Sequence, residues 1–204
     1  MIAIINYGSG NIAAIANIYK QLKIPYIVTK DLNELAAAER YILPGVGAFE
    51  ATMRYLNDSG MVATLNEQVL INNKKVMGIC VGMQVLAESS DEGSLAGLGW
   101  IPGRVRKIDA SLLPASPKLP HMGWNSIKPR SDAPLFAGVD VERGFYFLHS
   151  YYFDATYAAD VSASVEYGKE IPCAVARANV FGMQFHPEKS HANGVAIFRN
   201  FAEL

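Results

Sequence analysis

Cysteine is scarce. Cys80 and Cys173 are the only two among 204 residues, so a disulfide framework is excluded, and neither sits at zinc-type spacing from the other. No metal site is expected, and a reducing cytoplasm is the simplest setting. An excess of one charge is also missing: 18 basic residues face 19 acidic ones, for a net charge of -1. That excludes proteins that rely on a strong basic field, whether for nucleic acid or for a membrane surface. No apolar run approaches the ~20 residues of a spanning helix. Met1 to Tyr7 lacks a basic region and reaches a polar turn too soon for a signal peptide. What is abundant is apolar matter: half of the residues are hydrophobic and 18% are charged, enough for a sizeable core. The length predicts one domain, 1–204.

Residues 1–6 read as a buried strand, short, β-branched and without alternation. Gly8-Ser9-Gly10-Asn11 ends it, and Asn11 is placed to cap a helix reaching Leu22. This loop lacks the third glycine of a dinucleotide fingerprint and the lysine of a phosphate loop, so no nucleotide cofactor is expected. Pro25–Thr29 predicts a strand, Asp31–Ala38 a short capped helix, and Arg40–Leu43 a third strand. Ala48–Leu56 and Met61–Ile71 predict helices, followed by a strand to Cys80 and a helix over Gly82–Ser89. The alternation predicts an α/β fold with a mostly parallel central sheet flanked by helices. After a loop at 91–98 the texture changes. Strand-like runs at 100–108, 123–128, 144–154, 161–167, 173–178 and 180–185 predict antiparallel strands added to that sheet in the C-terminal half. A proline-rich loop covers 111–120, a tight turn falls at Ala178-Asn179, and an amphipathic helix runs from His191 to Leu204.

Chemistry enters at Gly78-Ile79-Cys80-Val81-Gly82. A cysteine between two glycines, at the step from strand to helix, has the form of a nucleophile elbow. The turn strains the nucleophile's backbone and leaves space only for small neighbours. The free N–H groups at the helix start favour a thiolate and later an oxyanion. A cysteine nucleophile needs a base. Of His121, His149, His186 and His191, His186 stands out, at a strand end and followed by Pro187-Glu188. Two positions apart in extended chain, His186 and Glu188 share one side, so the carboxylate can orient the ring. A further pair of glycines, Gly45 and Gly47 around Val46, leaves backbone N–H groups accessible, as an oxyanion nest or as a plain turn.

Taken together, these motifs resemble the triad-type glutamine amidotransferases. Within that family the resemblance is to the glutaminase subunits of imidazole glycerol phosphate synthases. The similar segments are Tyr7–Asn11, Leu43–Phe49, the elbow to Gln84, Pro120–Asn125, Phe145–Tyr152 and Phe181–Ser190, in order along the chain. Asn6 departs from a usual Asp, Val81 and Val85 from Leu, and His191 from Gln.

The resemblance implies a Cys80–His186–Glu188 triad, oxyanion donors at Val46 and Val81, and a glutamine pocket formed by Gly45, Gly47, Gln84, Ser150 and Tyr151. It implies L-glutamine as substrate, no cofactor, and a heterodimer with a (β/α)₈-barrel cyclase that uses the ammonia in histidine biosynthesis. Asn11, Trp124, Tyr146 and Lys189 are then the expected partner face, with Trp124 and Tyr146 otherwise readable as core aromatics. His121 is expected near that face or beside Trp124, His149 in a strand near the site, and Cys173 in the core. Three alternatives stand beside this one. They are a paralogous glutaminase feeding another acceptor, such as a sugar-amination synthase, a cysteine hydrolase on the same fold, and a non-catalytic subunit.

Overall fold

The structure is a computed structural model describing residues 1–113 and 119–204. Its first half alternates as read: β1 (Ile2–Ile5), α1 (Ile12–Leu22), β2 (Tyr26–Thr29), α2 (Leu32–Ala37), β3 (Arg40–Gly45), α3 (Phe49–Asp58), α4 (Met61–Asn66) and β4 (Lys75–Cys80). Then follow α5 (Val81–Gln84), β5 (Ser89–Ser90), β6 (Gly103–Lys107), β7 (His121–Asn125), β8 (Lys128–Pro129), β9 (Phe145–His149), β10 (Tyr151–Ala155), β11 (Val161–Tyr167), β12 (Lys169–Arg177), β13 (Val180–Met183) and α6 (His191–Glu203). The main sheet has the order β2-β1-β3-β4-β13-β12-β11-β8. β2, β1, β3, β4 and β13 are parallel neighbours, and β12, β11 and β8 extend the edge in antiparallel fashion. The central strands β1, β3, β4 and β13 are buried almost throughout, as strands covered on both faces must be. Among the described residues no helix is long and apolar enough to cross a membrane.

Two local predictions hold on physical grounds. Asp31 caps α2, its carboxylate accepting from Asn33 N at 2.8 Å and Glu34 N at 3.0 Å. The turn at Ala178-Asn179 forms with Ala178 at φ +52°. Asn179 Nδ2 donates to Val69 O (2.8 Å) and Lys74 O (2.7 Å), which ties this turn to the start of β4. That anchor sets β13 parallel beside β4.

Other expectations need correction. Asn11 precedes α1 but makes no side-chain cap hydrogen bond. The helix read over 61–71 turns from α4 into a π-type turn at Glu67–Ile71. The strand read at 100–108 is confined to β6. The run at 144–154 is two strands in different sheets: β9 pairs with β7, and β10 pairs with β6. The late strands therefore do not all join the main sheet. β5, β6 and β10 form one small sheet, and β7 and β9 another. The helix predicted over 82–89 is the single turn α5. Its next carbonyls, at Val85, Leu86 and Ala87, accept instead from the N–H groups of Leu98 (2.8 Å), Ile101 (3.1 Å) and Gly99 (3.0 Å). The returning loop takes the bonds that a longer helix would have used. The loop read at 111–120 falls partly outside the described residues, at 114–118.

Candidate active site

The site lies at the carboxyl edge of the parallel sheet, where β1, β3, β4 and β13 end, as expected for open α/β folds. Cys80 is the last residue of β4 and the residue before α5, with φ +56° and ψ −114°. This is strained backbone for a residue with a side chain, held by its surroundings. The flanking glycines have a steric cause. A Cβ on Gly78 would lie 2.4 Å from Gly82 O, and one on Gly82 would lie 1.9 Å from Leu43 O. The bend thus presses α5 onto β3 and β4 with no room for a methyl group. Val81 opens α5, so its N–H has no acceptor within the helix. With only one turn, α5 adds little macrodipole, and the effect on an anion rests on these local N–H groups.

Cys80 and His186 face one cleft of about 360 Å³, lined also by Val46, Gly47, Val81, Gln84, Glu92, Leu148, His149, Ser150, Tyr151 and Lys189. His186 is three residues beyond β13, next to β4, which is how two distant motifs meet. It is held on every side. Its N–H donates to Tyr146 O at 2.9 Å, and its carbonyl accepts from Ser190 Oγ at 2.7 Å. Ser190 Oγ in turn accepts from Tyr146 N at 3.1 Å. Phe185, fully buried, stacks on Phe145 at 4.1 Å and fixes the chain just before the histidine.

Glu188 sits behind the ring, with Oε1 2.9 Å from His186 Nδ1. The other oxygen, Oε2, is buried without a hydrogen-bond partner. His186 is raised to about 10. Burial opposes the charged ring, but hydrogen bonds to Cys80 and Glu188 and the charges of both outweigh it. The arrangement brings together a sulfur, an imidazole and a carboxylate, the groups that a nucleophile, its base and an orienting partner would require.

Of the remaining predicted residues, Gly47, Gln84, Ser150 and Tyr151 all line this cleft. Gly45 pairs with Cys80 in register, and a Cβ there would meet Gly82 N at 2.5 Å, so its role is close approach of backbone. Val46 lines the cleft, but its N–H donates to Ser9 Oγ at 3.1 Å. The oxyanion donor expected there is engaged elsewhere in this state.

Trp124, Tyr146 and Lys189 gather on one surface. Trp124 and Tyr146 are register partners, and Lys189 Nζ lies 5.5 Å from the Tyr146 ring centre. Trp124 is 49% exposed and stacks on His191 at 5.2 Å, so it is no core aromatic. Asn11 precedes α1, which packs against the turn at Pro187–Lys189. His121 is buried on the opposite side of β7 from Trp124, between Phe147 and Tyr167, rather than beside the tryptophan. Cys173 is fully buried, and burial pushes its thiol up.

Sequence reasoning missed Ser9, Glu92, Gln184, Met122 and Leu148. Glu92 adds a carboxylate to the cleft and accepts from Phe49 N, at the start of α3, at 2.8 Å. Gln184 carried a signal, its place two residues before the histidine. Ser9 carried none, because its contact crosses 37 positions.

The sequence profile described as "Glutamine amidotransferase class-I" matches residues 3–204. The chain belongs to the class-I glutamine amidotransferases. Among curated proteins, this amidotransferase is 51% identical over 204 residues to the imidazole glycerol phosphate synthase subunit HisH of Bdellovibrio bacteriovorus, covering 100% of both chains. It is 45% identical to the HisH subunit of Leptospira borgpetersenii, again over 100% of both. Among solved structures, a crystal structure of a glutamine amidotransferase superposes with TM-score 0.73 at 17% identity, over 100% of this chain and 99% of that one. PurLQS from Thermotoga maritima superposes with TM-score 0.67 at 19% identity, over 99% and 97%. At those identities the structural likeness speaks to the amidotransferase fold alone.

Proposed function

We propose that this chain is the cytoplasmic glutaminase subunit of an imidazole glycerol phosphate synthase, with Cys80, His186 and Glu188 as its triad. The observation that carries the reading is the strained Cys80 facing the His186–Glu188 pair across one cleft. The Cys80 sulfur attacks the side-chain amide carbon of glutamine. His186 holds the thiol proton and gives it to the departing nitrogen, while Glu188 steadies the charged ring. Ammonia leaves a glutamyl thioester, which water, deprotonated by His186, hydrolyses to glutamate. The oxyanion is met by Val81 N–H and by Val46 N–H once Ser9 releases it. Each such donor supplies about 3 kcal/mol. Gly47, Gln84, Ser150 and Tyr151 hold the glutamine backbone groups, and the Glu92 carboxylate faces the α-ammonium.

Ammonia released into neutral water would protonate and lose its nucleophilicity, so it has to pass directly to an acceptor. The acceptor enzyme is a (β/α)₈-barrel cyclase that forms imidazole glycerol phosphate and an aminoimidazole carboxamide ribotide. Supporting this is the outer face of β7 and β9, where Met122, Trp124 and Leu148 are 62%, 49% and 38% exposed and Leu148 also lines the cleft. Tyr146 and Lys189 continue that face, with Asn11 at the start of α1. Apolar side chains left in water beside a site mark a docking surface.

The test is glutamate release by the purified chain, alone and with the cyclase and its ribulosyl carboxamide ligand. Turnover should be weak alone and rise strongly in the complex. No release under either condition would remove the glutaminase reading, and equal rates would remove the partner-dependent switch.

A further inference from the structure

We propose that Gln184 is a further catalytic residue, a neutral donor aimed at the Cys80 sulfur that stabilises its anionic form. The proposal rests on Cys80 being the nucleophile.

Register brings the two together. β13 and β4 run parallel with Gly182 opposite Gly78 and Met183 opposite Ile79, so the next pair is Gln184 and Cys80. Gln184 is fully buried, and a buried amide is costly unless its polar atoms are used. They are used: Oε1 accepts from Gln84 Nε2 at 3.0 Å, and Nε2 donates to Cys80 Sγ at 3.8 Å.

The direction of that amide is enforced from a distance. Tyr151 O is a backbone carbonyl and can only accept. It takes one hydrogen bond from His149 Nδ1 at 2.7 Å and one from Gln84 Nε2 at 3.2 Å. Gln84 must therefore present its NH₂ group there, and its second hydrogen goes to Gln184. Gln184 must then present oxygen to Gln84 and NH₂ to the sulfur. Turned over, it would set two NH₂ groups against each other. His149 is likewise held in one state. Its Nε2 accepts from His121 Nδ1 at 2.9 Å, and burial lowers His149 to about 3 and His121 to about 4, so both are neutral donors in line. The chain from β7 through Tyr151 thus ends in an N–H pointed at sulfur. A thiol has its own hydrogen to place, whereas a thiolate gains from an N–H donor.

The experiment follows alkylation of Cys80 by iodoacetamide against pH, read by peptide mass, in the unsubstituted protein and in Gln184→Met. Alkylation needs no glutamine, so its failure is separable from that of the glutaminase reading. The other titratable groups near the sulfur, His186, Tyr7, His149, Glu92 and Lys189, are the same in both proteins. The variant should react about tenfold more slowly on the rising limb of the profile and match the parent at high pH, its profile moved up by about one pH unit. A profile with the parent's midpoint would overturn the proposal and leave Gln184 a packing residue. A second measurement needs no substitution. In ¹⁵N-labelled parent protein the Gln184 side-chain NH₂ resonance should move with the midpoint of the alkylation profile. A resonance that stays fixed across that range would overturn the proposal as well.

Discussion

Ser9 Oγ holds both backbone polar atoms of Val46. It accepts from Val46 N at 3.1 Å and donates to Val46 O at 3.0 Å. The donor that an oxyanion would need is thereby turned toward the loop after β1. Ser9→Ala removes both bonds and leaves Val46 free to rotate its N–H into the cleft. One net hydrogen bond is worth about 1 kcal/mol, so glutaminase activity of the isolated chain should rise about fivefold. Stimulation by the partner should shrink by the same factor. Unchanged turnover with unchanged stimulation would show that the contact does not restrain the site.

Cys80→Ala removes the proposed nucleophile. Glutamate release should fall to background, with or without partner, while circular dichroism and partner binding stay as in the parent. Residual release at the parental rate would place the chemistry on another group.

Against the lowering effect of burial, Cys80 and Glu188 raise the His186 ring to about 10, above its ordinary 6.5. A raised histidine contributes its full stability below about pH 6.5 and loses it as pH rises through about 10. Melting temperature, scanned from pH 6 to 10.5, should therefore fall more steeply in the parent than in Cys80→Ala, where one partner of the ring is gone. Parallel curves would mean that Cys80 does not support the charged ring.

Gly82→Ala places a methyl group 1.9 Å from Leu43 O, a backbone atom that cannot step aside. The elbow would have to open. A loss of about 3 kcal/mol is expected, read as a lower urea midpoint. A variant with the parental midpoint would show that α5 can lift from β3 freely.

Trp124 offers the largest exposed ring on the β7–β9 face. Trp124→Ala should weaken binding of the partner subunit about thirtyfold, the effect of losing one anchoring aromatic of about 2 kcal/mol. Calorimetric titration reads this directly, and parental affinity would move the docking surface elsewhere.

Much of this molecule was legible in its residues. The β–α alternation to Cys80 follows from apolar runs and turn residues, both local properties. The glycines at 78 and 82 announce the elbow because close backbone approach leaves a mark in composition. What composition does not carry is which strand lies beside which. β13 joins the sheet next to β4 through Asn179, bonding to residues more than 100 positions earlier, and that pairing brings His186 and Gln184 to Cys80. The break at Ser150 was hidden for a similar reason. β9 and β10 are each good strand sequence, and only their different partners, β7 and β6, part them. Local chemistry thus determined the elements and the reactive groups. Hydrogen bonds across long separations, which no short window contains, decided that Ser9 restrains Val46 and that an amide from β13 faces the sulfur.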